Sequence, residues 1–217
     1  ENNDVSYGKD QTLIEAFNAP EQSTLDTNMS YVNALVENTD ANVYFALIPE
    51  KSEIWSDKLP SRTPNDSEAT VSDSFYGTTW SSSGFSWVRP DSMEVFVNEP
   101  DGLKVTSYPQ GTPIEGQLYD ESYLDVKDKY SMFMGGNCPL HEIVTGNEGP
   151  SLLIIRDSYT DSLIPFLLDD FSEIHVIDLR YYRMSVSDYI AEHDFDNVLV
   201  AYSVSTFATD TNLFLMG

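Results

Sequence analysis

Short apolar runs alternate with helical patterns in the last third of the chain. The runs at 151–156, 173–178 and 197–202 have the length and composition of strands that are buried on both faces. Between them, 161–170 and 185–192 have the spacing of short helices. Strands that alternate with helices are typical of βαβ units, so the pattern predicts an α/β fold with a mainly parallel sheet.

The first part of the chain shows the same alternation. Apolar residues recur at helical spacing over 26–38, with Asp26 as the expected N-cap, and Ser185 is expected to cap the later helix. The apolar run 42–48 follows and predicts a core strand. We interpret the whole chain, 1–217, as a single α/β domain.

The pattern changes between about 74 and 116, where aromatic and β-prone residues dominate. Strand-like runs at 93–97 and 103–107 flank a Pro-Asp-Gly turn at 100–102, which predicts a β-hairpin. We therefore interpret 74–116 as a small, β-hairpin-rich insertion within the domain. Before it, 61–70 has neither helical nor strand periodicity and predicts a loop or linker.

The charge balance excludes one class of partner. Eleven basic residues face 36 acidic residues, which gives a formal net charge of -25. A surface with this charge repels a polyanion, so nucleic acid is not an expected partner. Solubility outside the cell or salt tolerance is one interpretation of the acidic excess, and divalent-cation binding is the other; the first is favoured, since the sequence has no full EF-hand pattern.

Other features of the sequence bear on disulfides, metal sites and membrane spans. Cys138 is the single cysteine, so no internal disulfide is possible, and a packed structural role is the expectation for it. No H-E-x-x-H or Cys/His spacing is present, so neither a metal nor another cofactor is expected. No apolar run approaches the ~18 residues that span a bilayer.

Ser158 is the strongest candidate for chemistry. It follows the apolar run 151–156 at the point where an open α/β sheet binds ligands, and it precedes a predicted helix whose N-terminus would favour an oxyanion. A serine nucleophile also needs a base and oxyanion donors. Gly136 and Asn137, in a Gly-Gly-Asn turn, could supply the donors, although a plain turn is the simpler interpretation of that motif.

The base is not identified by the sequence. The chain has three histidines. His175 lies within a predicted strand and His193 ends a predicted helix, so structural roles are expected for both. His141 lies four residues after Asn137 and would be near the site if that loop is.

Several motifs, in this order along the chain, resemble the DHHW family of bacterial proteins. They are Leu-Ile-Pro at 47–49, Lys-Leu-Pro at 58–60, Phe-Tyr-Gly-Thr at 75–78, Asp-Lys-Tyr at 128–130, Gly-Gly-Asn at 135–137, Leu-Leu-Ile-Ile-Arg-Asp-Ser-Tyr at 152–159 and Glu-Ile-His-Val-Ile-Asp at 173–178. That family resembles SGNH hydrolases and alginate O-acetyltransferase proteins. The resemblance implies a flavodoxin-like three-layer sandwich that acts on acyl esters, often on surface polysaccharides.

The resemblance also implies roles for individual residues. Ser158 would be the nucleophile, and Gly136 and Asn137 would be oxyanion donors together with the Ser158 amide. Asp157, Tyr159 and Arg180 are expected as supporting residues around them.

One departure from the family concerns the base. The Asp-His-His-Trp motif that names the family, and that would supply the Asp and His of a triad, is absent between 60 and 75. Either the protein has lost this segment and is inactive, or the sequence given omits it near 60–70. A fold of this kind is hard to close without a helix-and-loop unit there, which favours omission.

Two functions follow. The first is a secreted or cell-surface serine esterase or O-acyltransferase, whose substrate is an acylated polysaccharide or a small acyl ester. The second is a catalytically inactive scaffold that binds carbohydrate or protein, where Trp80, Phe85 and Trp87 either stack on sugars or form a small core. Both predict an extracellular or cell-envelope protein whose signal or anchor has been removed.

Overall fold

The computed structural model describes a mixed α/β fold over residues 5–7, 13–15, 20–48, 69–75, 84, 86–89, 91–97 and 99–217. The strands are β1 (Val5–Tyr7), β2 (Leu13–Glu15), β3 (Asn42–Ile48), β4 (Ala69–Phe75), β5 (Asp91–Val97), β6 (Lys104–Ser107), β7 (Ile114–Gly116), β8 (Leu140–Val144), β9 (Ser151–Arg156), β10 (Glu173–Ile177) and β11 (Asn197–Ser203). The helices are α1 (Gln22–Glu37), α2 (Val186–His193) and α3 (Val204–Thr209), with 3₁₀-helices at Glu121–Asp125, Lys129–Met132, Ser158–Leu167 and Leu213–Met216.

A seven-stranded sheet organises the described part of the chain, in the order β3-β11-β9-β10-β8-β6-β7. The first four strands are parallel to one another, and β10–β8, β8–β6 and β6–β7 pair antiparallel. The predicted α/β class, with parallel strands joined by helical connections, is therefore confirmed.

The burial of β9 and the exposure of β3 agree with their positions in the sheet. Four consecutive residues of β9, Leu152 to Ile155, are all buried, as expected for a central strand covered on both faces. β3 lies at the end of the strand order and is mostly exposed. The prediction of a core strand at 42–48 was thus correct for the strand but wrong for its burial.

The two faces of the sheet carry separate cores. Leu153 and Ile155 pack with residues of α1 and α2, whereas Leu152 and Ile154 pack with residues of the 3₁₀-helix Ser158–Leu167. The connection after β9 leads to β10 on one side, and the connection after β10 returns past β9 to β11. Because the two connections diverge onto opposite faces, the carboxyl ends of β9 and β10 form a topological switch point, where open α/β sheets bind ligands.

Two helix predictions need correction. α1 begins four residues before Asp26, and the Asp26 carboxylate accepts a hydrogen bond from Gln22 Nε2 at 2.8 Å inside the helix, so it is not the N-cap. The helix expected at 161–170 is a 3₁₀-helix that starts at Ser158 and contains Pro165. Proline has no N–H for an i→i−4 bond, which disfavours a regular α-helix there. Ser185 caps α2 as predicted.

The predicted hairpin is wrong in its strand pairing. Its turn is present, since Leu103 N donates to Pro100 O at 3.1 Å and Gly102 has a φ of 88°. β5, however, pairs with β4 in a separate two-stranded sheet, while β6 pairs with β7 and β8 in the main sheet. The insertion boundaries of 74–116 stay a prediction.

Some sequence predictions lie outside the described residues. These include the omission near 60–68 and the aromatic residues Trp80 and Phe85. Trp87 is described and is 66% exposed. Cys138 is buried and its thiol contacts Leu140 O at 3.3 Å, in line with a packed residue. None of the described helices is both long and apolar enough to cross a membrane.

Candidate active site

Three loops meet at the carboxyl edge of the central strands. Ser158 follows β9 and Arg180 follows β10. β8 runs antiparallel to β10, with Leu140 opposite Ile177, so the Gly-Gly-Asn turn that precedes β8 lies at the same edge. The sheet register therefore brings together the sequence-predicted nucleophile and the predicted oxyanion turn.

A buried ionic network lies beneath this edge. Arg156 is fully buried, and its Nη1 donates to Asp178 Oδ2 at 3.0 Å. Its Nη2 lies 2.9 Å from Asp161 Oδ1, an ion pair without hydrogen-bond alignment. Buried charges need partners of opposite sign, and here the guanidinium has two.

The sequence predictions missed Asp161 and Asp178. Asp178 ends an otherwise apolar run, as Arg156 does. A charged residue at the end of an apolar run is the sequence signal that could have identified both. Asp161 has no comparable signal. The pKa of Asp161 is raised to about 7, mainly by burial; the Arg156 charge lowers it in part, and the Asp178 carboxylate raises it.

Arg180 connects the network to the Gly-Gly-Asn turn. Asp178 accepts hydrogen bonds from Arg180 Nε at 2.9 Å and from Arg180 Nη2 at 2.6 Å. The same Nη2 donates to Asn137 Oδ1 at 3.3 Å. A guanidinium only donates, so the Asn137 oxygen must face it and the Asn137 NH₂ group points elsewhere. Arg180 thus orients the amide that was predicted to be an oxyanion donor.

Gly136 is closely packed within the turn. Its N–H donates to Phe133 O at 3.1 Å, so this amide is already used within the turn. Gly136 has a φ of 87°, and a Cβ at this position would lie 2.9 Å from Ser131 Oγ. The position requires glycine because the backbone is left-handed and closely packed. Its contribution is the shape of the turn that presents Asn137.

Asp157 has a structural position. It is buried, its Oδ1 accepts from Tyr159 N at 3.1 Å, and its Oδ2 accepts from Ser203 N at 2.9 Å. Both carboxylate oxygens are therefore held by backbone N–H groups. Asp157 caps the 3₁₀-helix that carries Ser158 and ties that turn to the end of β11.

Ser158 is half-buried at the first position of its 3₁₀-helix. No described residue makes a recorded hydrogen bond with its hydroxyl. Tyr159 beside it is 47% exposed, and its carbonyl accepts from Tyr130 OH at 3.5 Å. The structure thus places the predicted nucleophile at the switch point of the sheet, with Tyr159 at the surface next to it.

Each of the three histidines contacts residues other than Ser158, and His141 lies near Arg156, Asp178 and the backbone of Gly136. His141 is buried on β8, and its Nδ1 lies 2.9 Å from Ser107 Oγ. Burial lowers the pKa of His141 to about 4, with a further decrease from the Arg156 charge. His175 and His193 pack with Tyr189 on the α2 face. Among the described residues, no histidine is recorded in contact with Ser158.

Comparisons with solved structures identify the class of fold. No protein-family model matches the sequence, and no match was found among curated proteins. The chain has the fold of a DHHW family protein from Eubacterium siraeum DSM 15702, with a TM-score of 0.78 and 16% identity. That similarity covers 99% of this chain and 95% of the other, so the predicted resemblance is confirmed at the level of the fold.

A second similar fold is that of Bacillus cereus PatB1. Two PatB1 structures match, with TM-scores of 0.72 and 0.71 and 15% identity to this chain in both cases. The matches cover 97% of this chain and 97% or 98% of PatB1, and one of those structures carries a sulfonyl adduct.

Proposed function

We propose that this protein is a serine esterase or O-acyltransferase that acts on acyl esters of an extracellular polysaccharide, with Ser158 as its nucleophile. The observation that carries the proposal is the position of Ser158 directly after the carboxyl end of β9, at the switch point between diverging connections. Ligands of open α/β sheets bind at such a point. The sulfonyl adduct of PatB1 adds support, because such adducts form at reactive nucleophiles.

The proposed chemistry is acyl transfer through a covalent intermediate. Ser158 Oγ attacks the carbonyl carbon of the ester, its proton passes to a base, and the carbonyl oxygen becomes an oxyanion. The Asn137 NH₂ group and the Ser158 N–H are the proposed oxyanion donors. The alcohol leaves with the proton, and the acyl group then passes to water in an esterase or to a sugar hydroxyl in a transferase.

The geometry around Asn137 supports this assignment. The Arg180–Asn137 contact of 3.3 Å turns the amide NH₂ away from the guanidinium. Arg180 is itself held by Asp178, which is fully buried and paired with Arg156. A donor fixed by such a chain loses little energy to reorganisation when the oxyanion forms. Arg180 and Asp178 are accordingly proposed as positioning residues.

The base is proposed to come from an Asp-His-His-Trp segment, as in the family that the sequence resembles. A flavodoxin-like three-layer arrangement and a location outside the cell or in its envelope belong to the same proposal. The net charge of -25 supports an extracellular setting.

An inactive scaffold is the second candidate function. It is favoured by the Ser107 contact of His141, which holds that imidazole in a buried position on β8. Exposed aromatic side chains near the carboxyl edge, Tyr159 and Tyr181, could contact carbohydrate without any reaction.

Hydrolysis of a small chromogenic acetyl ester tests the proposal. We expect Ser158→Ala to abolish hydrolysis, because the attacking oxygen is removed. Ser162→Ala, the same change four residues further along the same 3₁₀-helix, is the matched control and should retain the rate. Hydrolysis that survives Ser158→Ala would refute the assignment of the nucleophile.

Binding separates the two candidate functions. An inactive wild-type protein that binds acylated glycan equally well before and after Ser158→Ala would favour the scaffold. Covalent labelling of Ser158 by a sulfonyl fluoride, detected by peptide mass spectrometry, would favour the enzyme.

A further inference from the structure

Three potential metal ligands meet on the α2 face of the sheet, away from the candidate active site. Glu142 on β8 lies directly across from His175 on β10, and His193 ends α2. One ligand atom of each residue lies within 4.8 Å of a ligand atom of the other two. The sequence shows no metal-binding spacing, because the three residues come from three separate elements.

Hydrogen bonding determines which nitrogen of His193 is available. Its Nδ1 lies 2.9 Å from the carbonyl oxygen of Tyr189. A carbonyl only accepts, so Nδ1 carries the proton and Nε2 carries the lone pair. His193 is exposed, which leaves a path from solvent to that lone pair.

The same reasoning applies to His175. Its Nε2 contacts the Glu173 carboxylate, which accepts, so the proton lies on Nε2 and the lone pair on Nδ1. That Nδ1 lies 2.7 Å from Tyr189 OH. His175 is buried, so its Nδ1 lone pair faces the interior of the cluster and not bulk water.

In this cluster, the hydrogen-bond acceptors around Tyr189 outnumber the hydrogen atoms that it can donate. Tyr189 OH also lies 3.4 Å from Glu142 Oε1, yet a hydroxyl has one proton to donate. It can therefore satisfy either His175 Nδ1 or Glu142 Oε1, and the other acceptor is left without a donor from Tyr189. The second oxygen of Glu142 accepts from Tyr108 OH at 2.7 Å. A bound cation would remove this excess of acceptors.

We propose that Glu142, His175 and His193 bind a first-row transition-metal dication, with Zn²⁺ as the best match. Two imidazoles and one carboxylate suit zinc better than magnesium or calcium, which prefer oxygen ligands. Bonds of about 2.0–2.2 Å require the three side chains to close in slightly, and Tyr189 OH then gives up its contact with His175.

The surroundings of both imidazoles match a metal site. The Glu173 carboxylate accepts a hydrogen bond from His175 Nε2, and the Tyr189 carbonyl accepts one from His193 Nδ1. Metal-binding histidines commonly donate their second N–H to a carboxylate or a carbonyl in this way. The inference is independent of the proposed acyl-transfer function, since no ligand belongs to the carboxyl edge.

Calorimetric titration of the full chain with zinc chloride, after treatment with a chelator, tests the proposal. We expect saturable binding of one Zn²⁺ per chain, and His193→Ala should weaken it at least about tenfold. His193 is exposed, so this variant should fold. Tyr189→Phe keeps the ring but removes the competing hydroxyl, so it should bind Zn²⁺ at least as tightly as the wild type.

The net charge of -25 attracts cations without a specific site, so a matched control is needed. Glu192→Gln removes one exposed charge from the same helix and should leave the affinity unchanged. Replacement by Co²⁺ should give the visible absorption of a nitrogen- and oxygen-ligated ion, and His193→Ala should lose it. Equal affinities of the wild type and His193→Ala, or no one-to-one saturation, would overturn the proposal.

Discussion

Arg156 is the central residue of the ionic network beneath the carboxyl edge of the sheet. Its guanidinium is fully buried between Asp178 and Asp161, and Asp178 is shared with Arg180. The Asp178 carboxylate is therefore shared by the buried Arg156 and the partly exposed Arg180, and Asp161 is the second acidic partner of Arg156. A buried ion that loses its partner costs several kcal/mol, so these residues act together as one unit.

Gly136 offers a test of the turn that presents Asn137. Gly136→Ala should lower the free energy of unfolding by roughly 2–3 kcal/mol, from left-handed strain of about 1–2 kcal/mol and the contact with Ser131. Gly135→Ala is the matched control, because Gly135 has a φ of 73° but no atom within 4 Å of an added Cβ. Urea denaturation measures both. Equal losses would show that packing against Ser131 is unimportant.

His141 predicts a pH dependence of stability. Burial lowers its pKa in the folded state from 6.5 to about 4, so the unfolded chain binds more protons between those values. Its contribution to stability is present above pH 6.5 and is lost as the pH falls through 4. At pH 5 the loss is about 2 kcal/mol.

Urea denaturation at pH 7 and pH 5 measures this effect in the wild type and in His141→Gln. The wild type should lose about 2 kcal/mol more than the variant between the two pH values. Asp161, whose pKa is raised to about 7, favours the folded state as the pH falls, in both proteins alike. An equal change in both proteins would contradict the role given to His141.

At the scale of elements, the 3₁₀-helix Ser158–Leu167 explains how the site is coupled to the core. Residues three apart are aligned in a 3₁₀-helix, so Ser158, Asp161 and Ile164 lie along one side. Asp161 and Ile164 are buried, and Asp161 pairs with Arg156 at the end of β9. The half-buried position of Ser158 thus follows from the packing of the whole helix.

The junction of α1 with α3 depends on one buried amide. Asn28 Nδ2 donates to Phe207 O at 2.5 Å, and this carbonyl lies in the last turn of α3, where carbonyls lack helical partners. Asn28→Ala should reduce the free energy of unfolding by about 1–3 kcal/mol. Asn33→Ala, on the exposed side of α1, should change it by less than about 0.5 kcal/mol. Thermal or urea denaturation that ranks them equally would contradict this role.

At the scale of the whole molecule, the dominant property is the net charge of -25. Like charges distributed over a folded surface repel one another and destabilise the compact state. Salt screens this repulsion, because the Debye length falls from about 30 Å at 0.01 M to about 8 Å at 0.15 M.

The melting temperature should therefore rise with ionic strength. Between about 0.01 M and 0.3 M NaCl we expect an increase of a few degrees, since 1 kcal/mol corresponds to about 2–4 °C at this chain length. Differential scanning calorimetry measures it, with glycerol of equal osmolality as the uncharged control. A constant or falling melting temperature in NaCl would show that self-repulsion is not a major cost.

Local patterns were sufficient to predict the strands of the last third of the chain and the start of α2. The runs at 151–156 and 197–202 became β9 and β11, because a buried strand needs a short, continuous apolar sequence. Ser185 capped α2 because capping involves only residues three apart. Ser158 could be placed at a strand end for the same reason, since strand and turn are contiguous in sequence.

Only the tertiary structure decided which distant residues meet. β6 pairs with β8 instead of β5, and Arg180 reaches Asn137 across 43 positions of sequence. The Arg156 network and the His175–His193–Glu142 cluster likewise combine separate elements. Hydrophobic periodicity indicates whether a residue is buried. It does not indicate which residue of another element that residue contacts. Strand order and register supply that information, and they depend on the packing of the whole sheet.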